Sequence, residues 1–201
     1  MEIFITSDTH FCHSQPFLYE PRGFTSVDEM NEAIIERWNS IVKPNDRVIH
    51  LGDIMLNDNE KGIECLKRLN GEICLIYGNH DSLTRQKLIQ SECQSIISLG
   101  YAHMFKHGKM SIYLSHYPTL TANYDEKYFS QHVLALHGHT HQQANFMYPN
   151  NPFCYHVGMD SHNCTPVSLD EIICEVRQRW LDLQTLKIPV KDLYTYPMKG
   201  E

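Results

Sequence analysis

What most constrains this chain is where its metal-capable side chains fall. Short apolar runs of strand character cover residues 3–6, 47–51, 73–77, 111–114 and 133–136. Each is followed at once by Asp, Asn or His: Ser7-Asp8-Thr9-His10, Gly52-Asp53, Gly78-Asn79-His80-Asp81, Ser115-His116 and Gly138-His139-Thr140-His141. A sixth run, 152–156, ends in Val157-Gly158. One Asp-x-His or Gly-Asp alone carries little information. Five in series demand a fold that gathers strand ends, because α/β sheets bind ligands beyond the carboxyl edge of their strands.

The remaining pattern says which sheets these are. Ser26-Val27-Asp28-Glu29 reads as a capping box, and Met30, Ile34, Ile35, Trp38, Ile41 and Val42 follow at helical spacing until Pro44. Ser168-Leu169-Asp170-Glu171 reads as a second box, leading into Ile172, Ile173, Val176, Trp180 and Leu183. Shorter helices are predicted over 60–69 and 82–90. Strand and helix alternate early, which predicts βαβ units, whereas the later part is strand-rich. A length of 201 residues predicts one domain, with a core over about 1–183 and a tail of weak periodicity over 184–201.

Composition excludes several partners. No apolar run approaches the ~18 residues of a membrane helix, and the start lacks the basic region of a signal peptide. Seven cysteines without a CxxC pair fit reduced thiols, so a cytoplasmic protein with no membrane contact is expected. The net charge of −7 argues against broad nucleic-acid binding. Lys61, Lys67, Arg68, Arg85 and Lys87 are too sparse for a basic strip, so no stable nucleic-acid complex is expected. A homo-oligomer is left open.

Thirteen histidines point to a metal. The candidate set is Asp8, His10, Asp53, Asn79, His80, His116, His139 and His141. Strand alternation would aim Asp8 with His10, and His139 with His141, to the same side. Mixed carboxylate, amide and imidazole donors suit borderline first-row ions, unlike the all-oxygen sites of calcium or magnesium or the thiolates of structural zinc. The donors outnumber what one ion would use.

The ordered blocks DxH, GD, GNHD, H and GHxH resemble the calcineurin-like metallophosphoesterase superfamily over about residues 1–175. The chain looks closest to small capless prokaryotic and phage members that begin Ser-Asp-Thr-His. Residues 32–39, 157–160 and 166–169 also match those members. The resemblance implies an α/β fold, a four-layer α/β/β/α sandwich, with a dinuclear site. One ion would sit on Asp8, His10, Asp53 and His141, the other on Asp53, Asn79, His116 and His139, with Asp53 bridging. The expected cofactors are two divalent transition-metal ions, manganese first, with iron, zinc, nickel or cobalt as alternatives. His80 would not ligate but would protonate the leaving oxygen, oriented by a nearby carboxylate. Two ions less two carboxylates leave about +2, which suits a phosphate ester and a water acidified toward a pKa of about 7.

Other residues carry weaker expectations. Asn79, His13 and Arg22 are candidate substrate contacts, Arg22 as a phosphate fork in preference to Arg37. His137 reads as a packing residue, His50 as buried beside the site, and Asp81 as a helix cap or supporting partner. His103, His107, His132 and His162 read as surface or loop residues, and Cys12 as an oxidation-sensitive neighbour of the site. Tyr124, Tyr128, Phe129, Phe146 and Tyr148 could rim the site and stack a nucleobase. The expected activity is hydrolysis of nucleotide, cyclic-nucleotide or nucleic-acid-end phosphodiesters, with phosphomonoesterase or nucleotide pyrophosphatase as the alternative. A non-catalytic interaction scaffold of this fold would show broken ligand blocks, and here all are intact.

Overall fold

Alternating apolar residues build the first sheet with two useful faces. The computed structural model describes residues 1–121, 126–186 and Asp192. The chain runs through β1 (Ile3–Thr6), α1 (Pro16–Tyr19), α2 (Val27–Ile41), β2 (Arg47–His50), α3 (Asn59–Lys67), β3 (Glu72–Ile76), α4 (Leu83–Glu92) and β4 (Ile97–Gly100). The four strands are parallel, in sequence order. Phe4, Val48, Ile73 and Leu75 pack under Met30, Ile34 and Trp38 of α2, Ile63 and Leu66 of α3 and Ile89 of α4. Their neighbours Ile5, Ile49, Cys74 and Ile76 point the other way, as a period of two requires. There they meet the second sheet through Ile112, Leu114, Leu134, Leu136, Phe153 and Tyr155.

That second sheet holds β5 (Ala102–His107), β6 (Met110–Ser115), β7 (Val133–His137), β8 (Phe146–Tyr148) and β9 (Asn151–His156), ordered β5-β6-β7-β9-β8. β6, β7 and β9 are parallel, and the edges are antiparallel. β10 (Val167–Ser168) returns to the first sheet antiparallel to β1, and α5 (Leu169–Gln184) lies against β9, β1 and β10, so it touches both sheets. The result is two sheets flanked by helices, the sandwich expected. No helix among the described residues is long and apolar enough to cross a membrane. The expected tail lies outside the described residues except for its first residues and Asp192.

Local expectations fail where tertiary pairing takes over. Ser26 does cap α2, accepting from the Glu29 amide, but the Glu29 carboxylate turns to the amide and hydroxyl of Thr25 instead of closing the box. The second box does not form, because Ser168 ends β10 opposite Phe4 and its side chain makes no cap bond. β4, β5, β8 and β10 are sheet edges without a legible run: β4 and β5 are exposed or half-exposed throughout, and β8 and β10 are only three and two residues long. His132, expected as a surface or loop residue, does precede β7 outside regular structure but is buried and stacks on Phe153 at 3.9 Å. His162 is half-buried, bonding the His156 carbonyl at 3.0 Å.

Two buried histidines tie the fold's stability to pH. His50 accepts from the Gly52 amide at Nδ1 and meets Thr9 Oγ1 at Nε2, so it sits as a neutral ring, and burial pulls its pKa down to about 3. Burial, with His137 alongside, pulls His156 to about 2. Both titrate near 6.5 once unfolded, so below that pH the unfolded chain takes up protons that the folded one refuses. Each should therefore cost about 1.4 kcal/mol of stability per pH unit as pH falls from 6.5. In chelator, the urea midpoint should be clearly lower at pH 5 than at pH 7; a level midpoint would refute this.

Candidate functional site

The candidate ligand residues sit on backbone that few side chains adopt. β1 ends at Thr6, and beyond it Asp8, His10 and Cys12 take left-handed φ values of 59°, 48° and 64°. His139 and His141 do the same at 69° and 49°, as does Asp53 at 59°. Strand alternation is thus the wrong reason for the shared direction of these pairs. Left-handed residues recur at every second position in both loops. Each such residue costs on the order of 1–3 kcal/mol, and strain of this kind concentrates at functional sites. The glycines ahead of the ligands allow close approach: a Cβ on Gly138 would strike Ser7 and Asp8, and one on Gly78 would strike Asp53. Ser7 bridges to Gly158, past the end of β9, and this seam joins the carboxyl ends of the two sheets.

All eight candidates of the constellation converge there. Asp53 Oδ2 is central, 3.4 Å from His116 Nε2, 3.8 Å from His10 Nε2 and 4.0 Å from His80 Nε2. Asp8 Oδ1 lies 3.8 Å from both His10 Nε2 and His141 Nε2, which are themselves 3.2 Å apart. Asn79 Oδ1 lies 2.8 Å from His116 Nε2 and 2.9 Å from His139 Nδ1. Two groups, Asp8 with His10 and His141, and Asp8 with Asp53 and His116, each have ligand atoms within 4.8 Å of one another.

The donor atoms fit a cation by their chemistry. His116 Nδ1 meets the Leu51 carbonyl, which can only accept, so Nδ1 carries the hydrogen. In a neutral ring Nε2 is then a lone pair facing the oxygens of Asn79 and Asp53; burial opposes a charged ring, but Asp53 and Asp8 raise His116 above its ordinary value, so the pocket calls for a proton or a metal ion at that nitrogen. His141 Nδ1 likewise faces the Asp160 carboxylate at 2.9 Å, so in a neutral ring Nε2 is a lone pair toward His10 and Asp8; burial opposes a charged ring, but Asp160 and Asp8 raise His141 above its ordinary value. Acceptors that face acceptors need a positive charge between them. Asp8 Oδ1 is buried with no hydrogen-bond partner, and burial raises that carboxyl above its ordinary range, only partly offset by His141 and His116. Burial would raise Asp53 as well, but His116, His10 and the His80 amide hold it at about 2. His10 is driven well below its ordinary value by burial and by His141.

The comparison with known families decides what this arrangement belongs to. The model of the calcineurin-like phosphoesterase superfamily domain matches residues 1–155. The chain belongs to that superfamily. An uncharacterized protein of Methanocaldococcus jannaschii is 36% identical over 178 residues, covering 86% of this chain and 89% of its own length. The gene 66 protein of Mycobacterium phage D29 is 28% identical over 190 residues, covering 85% and 93%. A solved structure from Aquifex aeolicus, of a protein of unknown function, shares the fold with a TM-score of 0.62 at 24% identity, over 85% of this chain and 97% of that one. Archaeal and phage relatives match the small prokaryotic and phage type that the sequence resembles.

Around its ligand cluster the phosphoesterase has a supporting layer that the sequence did not reveal. Asp160 receives His141 Nδ1–H and holds Arg22, whose Nε and Nη2 donate to it at 3.0 and 2.9 Å. Arg22 also donates to the carbonyls of Asp8 and Thr9, and its side chain is 0% exposed. The phosphate fork expected of Arg22 is therefore corrected: its donors are spent on the floor of the site. Asp160 stood in the matching Val-Gly-Met-Asp stretch, and only the fold reveals its partners. Asp160→Asn should lower metal affinity about 10–100-fold, measured by titration of the apo protein, because such partners fix ligand tautomers. Unchanged affinity would remove Asp160 from the site.

The other candidates find definite places. Asp81 accepts from the amides of Asp53, Gly78 and Ile54, locking two ligand loops together, while Ser82 caps α4. His13 lines the cleft beside His10 and His80. His137 is buried against His156, with Nδ1 on the Gly138 carbonyl. The aromatic rim is also corrected. Phe129 packs on Phe153 and Trp180 and Phe146 on Tyr155, while Tyr124 lies outside the described residues. The exposed aromatics against the site are Phe17 beside His13 and Tyr117 beside His116 and His139.

Proposed function

We propose that this phosphoesterase is a dinuclear metal-dependent phosphodiesterase, with nucleotide, cyclic-nucleotide or nucleic-acid-end phosphodiesters as its leading substrates. The observation that carries the reading is the pair of acceptor clusters joined by two carboxylates, Asp8, which belongs to both, and Asp53, whose Oδ2 faces His10 on one side and His116 on the other, with His80 at their rim. Asp8, His10, Asp53 and His141 would hold one ion and Asp53, Asn79, His116 and His139 the other. Manganese is the first ion to try, followed by iron, zinc, nickel and cobalt. When bound, such ions supply Lewis acidity toward the phosphoryl oxygens and lower the pKa of a water.

The chain supplies the rest. The His80 backbone is pinned: its amide donates to Asp53 Oδ1 at 2.8 Å, and its carbonyl accepts from Arg85 and Ser82. Its imidazole stays in the cleft, 41% exposed, with Asp53 Oδ2 the nearest carboxylate to its Nε2 at 4.0 Å. It is thereby placed to give a proton to the departing oxygen. Among the described residues no Lys or Arg lines the cleft, so a dianionic monoester would find no second cationic clamp there. A monoanionic diester needs less charge, which favours the diester. Lys61, Lys67 and Arg68 are paired with Asp28, Glu92 and Glu32, which supports the expectation of no basic track for a nucleic acid.

The test is hydrolysis of bis-p-nitrophenyl phosphate against p-nitrophenyl phosphate, with manganese and with chelator. Metal-dependent cleavage favouring the diester is expected. A monoester preference would turn the reading to a phosphatase. Silence on both with metal bound would overturn it in favour of the scaffold.

A further inference from the structure

The cleft beside the ligand cluster is not walled by ligands alone. It encloses about 470 Å³, within the range of small-molecule sites. Besides the cluster it is lined by Phe17, Leu18, Pro21 and Leu56, by His13, which touches Phe17, and by Gln143. Phe17 is 71% exposed and touches His13 edge to face at 5.6 Å, so most of its ring surface is open. An isolated surface aromatic needs no explanation. Here, however, four apolar side chains form one surface against a site otherwise built from charged and polar groups.

The wall is held in place, because buried Leu18 anchors α1 and Arg22 ties the turn after it to the carbonyls of Asp8 and Thr9. Of the two carboxylates that line it, Asp160 is paired with Arg22 and His141 and Asp53 faces His10, His116 and His80, so both are committed to the ligand cluster and its support. An apolar face, one open aromatic ring and a neutral amide suit a planar, uncharged heterocycle with hydrogen-bonding edges. His80 lines the same cleft, with its ring centroid 6.5 Å from that of His13. The ester oxygen that His80 would protonate would leave into this cleft, which the four apolar residues also line.

We infer that Phe17, with Leu18, Pro21 and Leu56, forms a leaving-group subsite that stacks the base of a departing nucleoside. This rests on the phosphodiesterase reading and deepens it, making Phe17 a specificity-determining residue. The test is competition: manganese-dependent hydrolysis of bis-p-nitrophenyl phosphate is measured with adenosine or with ribose as inhibitor. Adenosine should inhibit the wild type competitively and ribose should not at the same concentration. Phe17→Ala should weaken adenosine inhibition about tenfold, as loss of one base–aromatic stack does, and Phe17→Trp should restore it. A purely structural role for so exposed a side chain would not follow ring identity in this way. Equal inhibition by adenosine and ribose, or an inhibition constant unmoved in Phe17→Ala, would overturn the subsite while leaving the phosphodiesterase reading in place. Absence of any diester hydrolysis in the wild type would instead overturn the reading on which the subsite stands.

Discussion

Asp53→Ala is expected to release metal from both halves of the site and to lower kcat/KM by about 10⁴ or more. Its carboxylate faces both halves of the site, 3.8 Å from His10 and 3.4 Å from His116. Removing it leaves lone pairs of several imidazoles converging on nothing that balances a cation. It also removes the acceptor for the His80 amide, so the general acid loses its anchor at the same time. Metal content by elemental analysis after desalting should fall from two ions per chain to one or none. Asp53→Asn should behave alike, since an amide keeps the shape but not the charge. A variant that retained both ions and its activity would disprove the shared-carboxylate arrangement.

His80→Ala should separate chemistry from metal binding. The ring belongs to neither ligand group, and alanine keeps the backbone amide that bonds Asp53. Metal content should therefore stay at the wild-type level while turnover drops about 10²–10⁴-fold, the usual range for a lost proton donor. The size of the loss should depend on the leaving group. Nitrophenolate departs readily without a proton, so bis-p-nitrophenyl phosphate should show the lower end, about 10². An alkyl or nucleoside alcohol leaves poorly as its anion and should show the upper end, about 10⁴. A loss independent of the leaving group would exclude the acid role, and a loss of metal would make His80 a ligand instead.

Legibility followed the length scale of each interaction. β1, β2, β3, β6, β7 and β9 could be seen because buried parallel strands need continuous apolar runs, and all of these but β9 run straight into Asp, Asn or His. Edge strands such as β5 carry no such run: Ala102, His103 and Met104 are exposed and read as loop. Ser168 looked like a cap from its neighbours, yet pairing with Phe4 across the sheet decided its role. Arg22 shows the same limit from the other side. A guanidinium in a Pro-Arg-Gly turn could as well face a phosphate as an aspartate, and the aspartate that takes it is 138 residues away.

The sequence by itself determined the donor chemistry: which oxygens and nitrogens stand at which strand ends, and hence the class of ion and ester they suit. That follows because ligand identity is a property of side chains, and their placement after apolar runs is a local fact. Only the tertiary structure decided how those donors meet. The left-handed residues that turn Asp8, His10, His139 and His141 inward are strained and persist because surrounding contacts impose them. The Ser7–Gly158 seam, the Asp160–Arg22 pair and the apolar wall around Phe17 all join segments far apart in the chain. Such contacts leave no periodic trace in a sequence, because they arise only once two sheets have packed face to face.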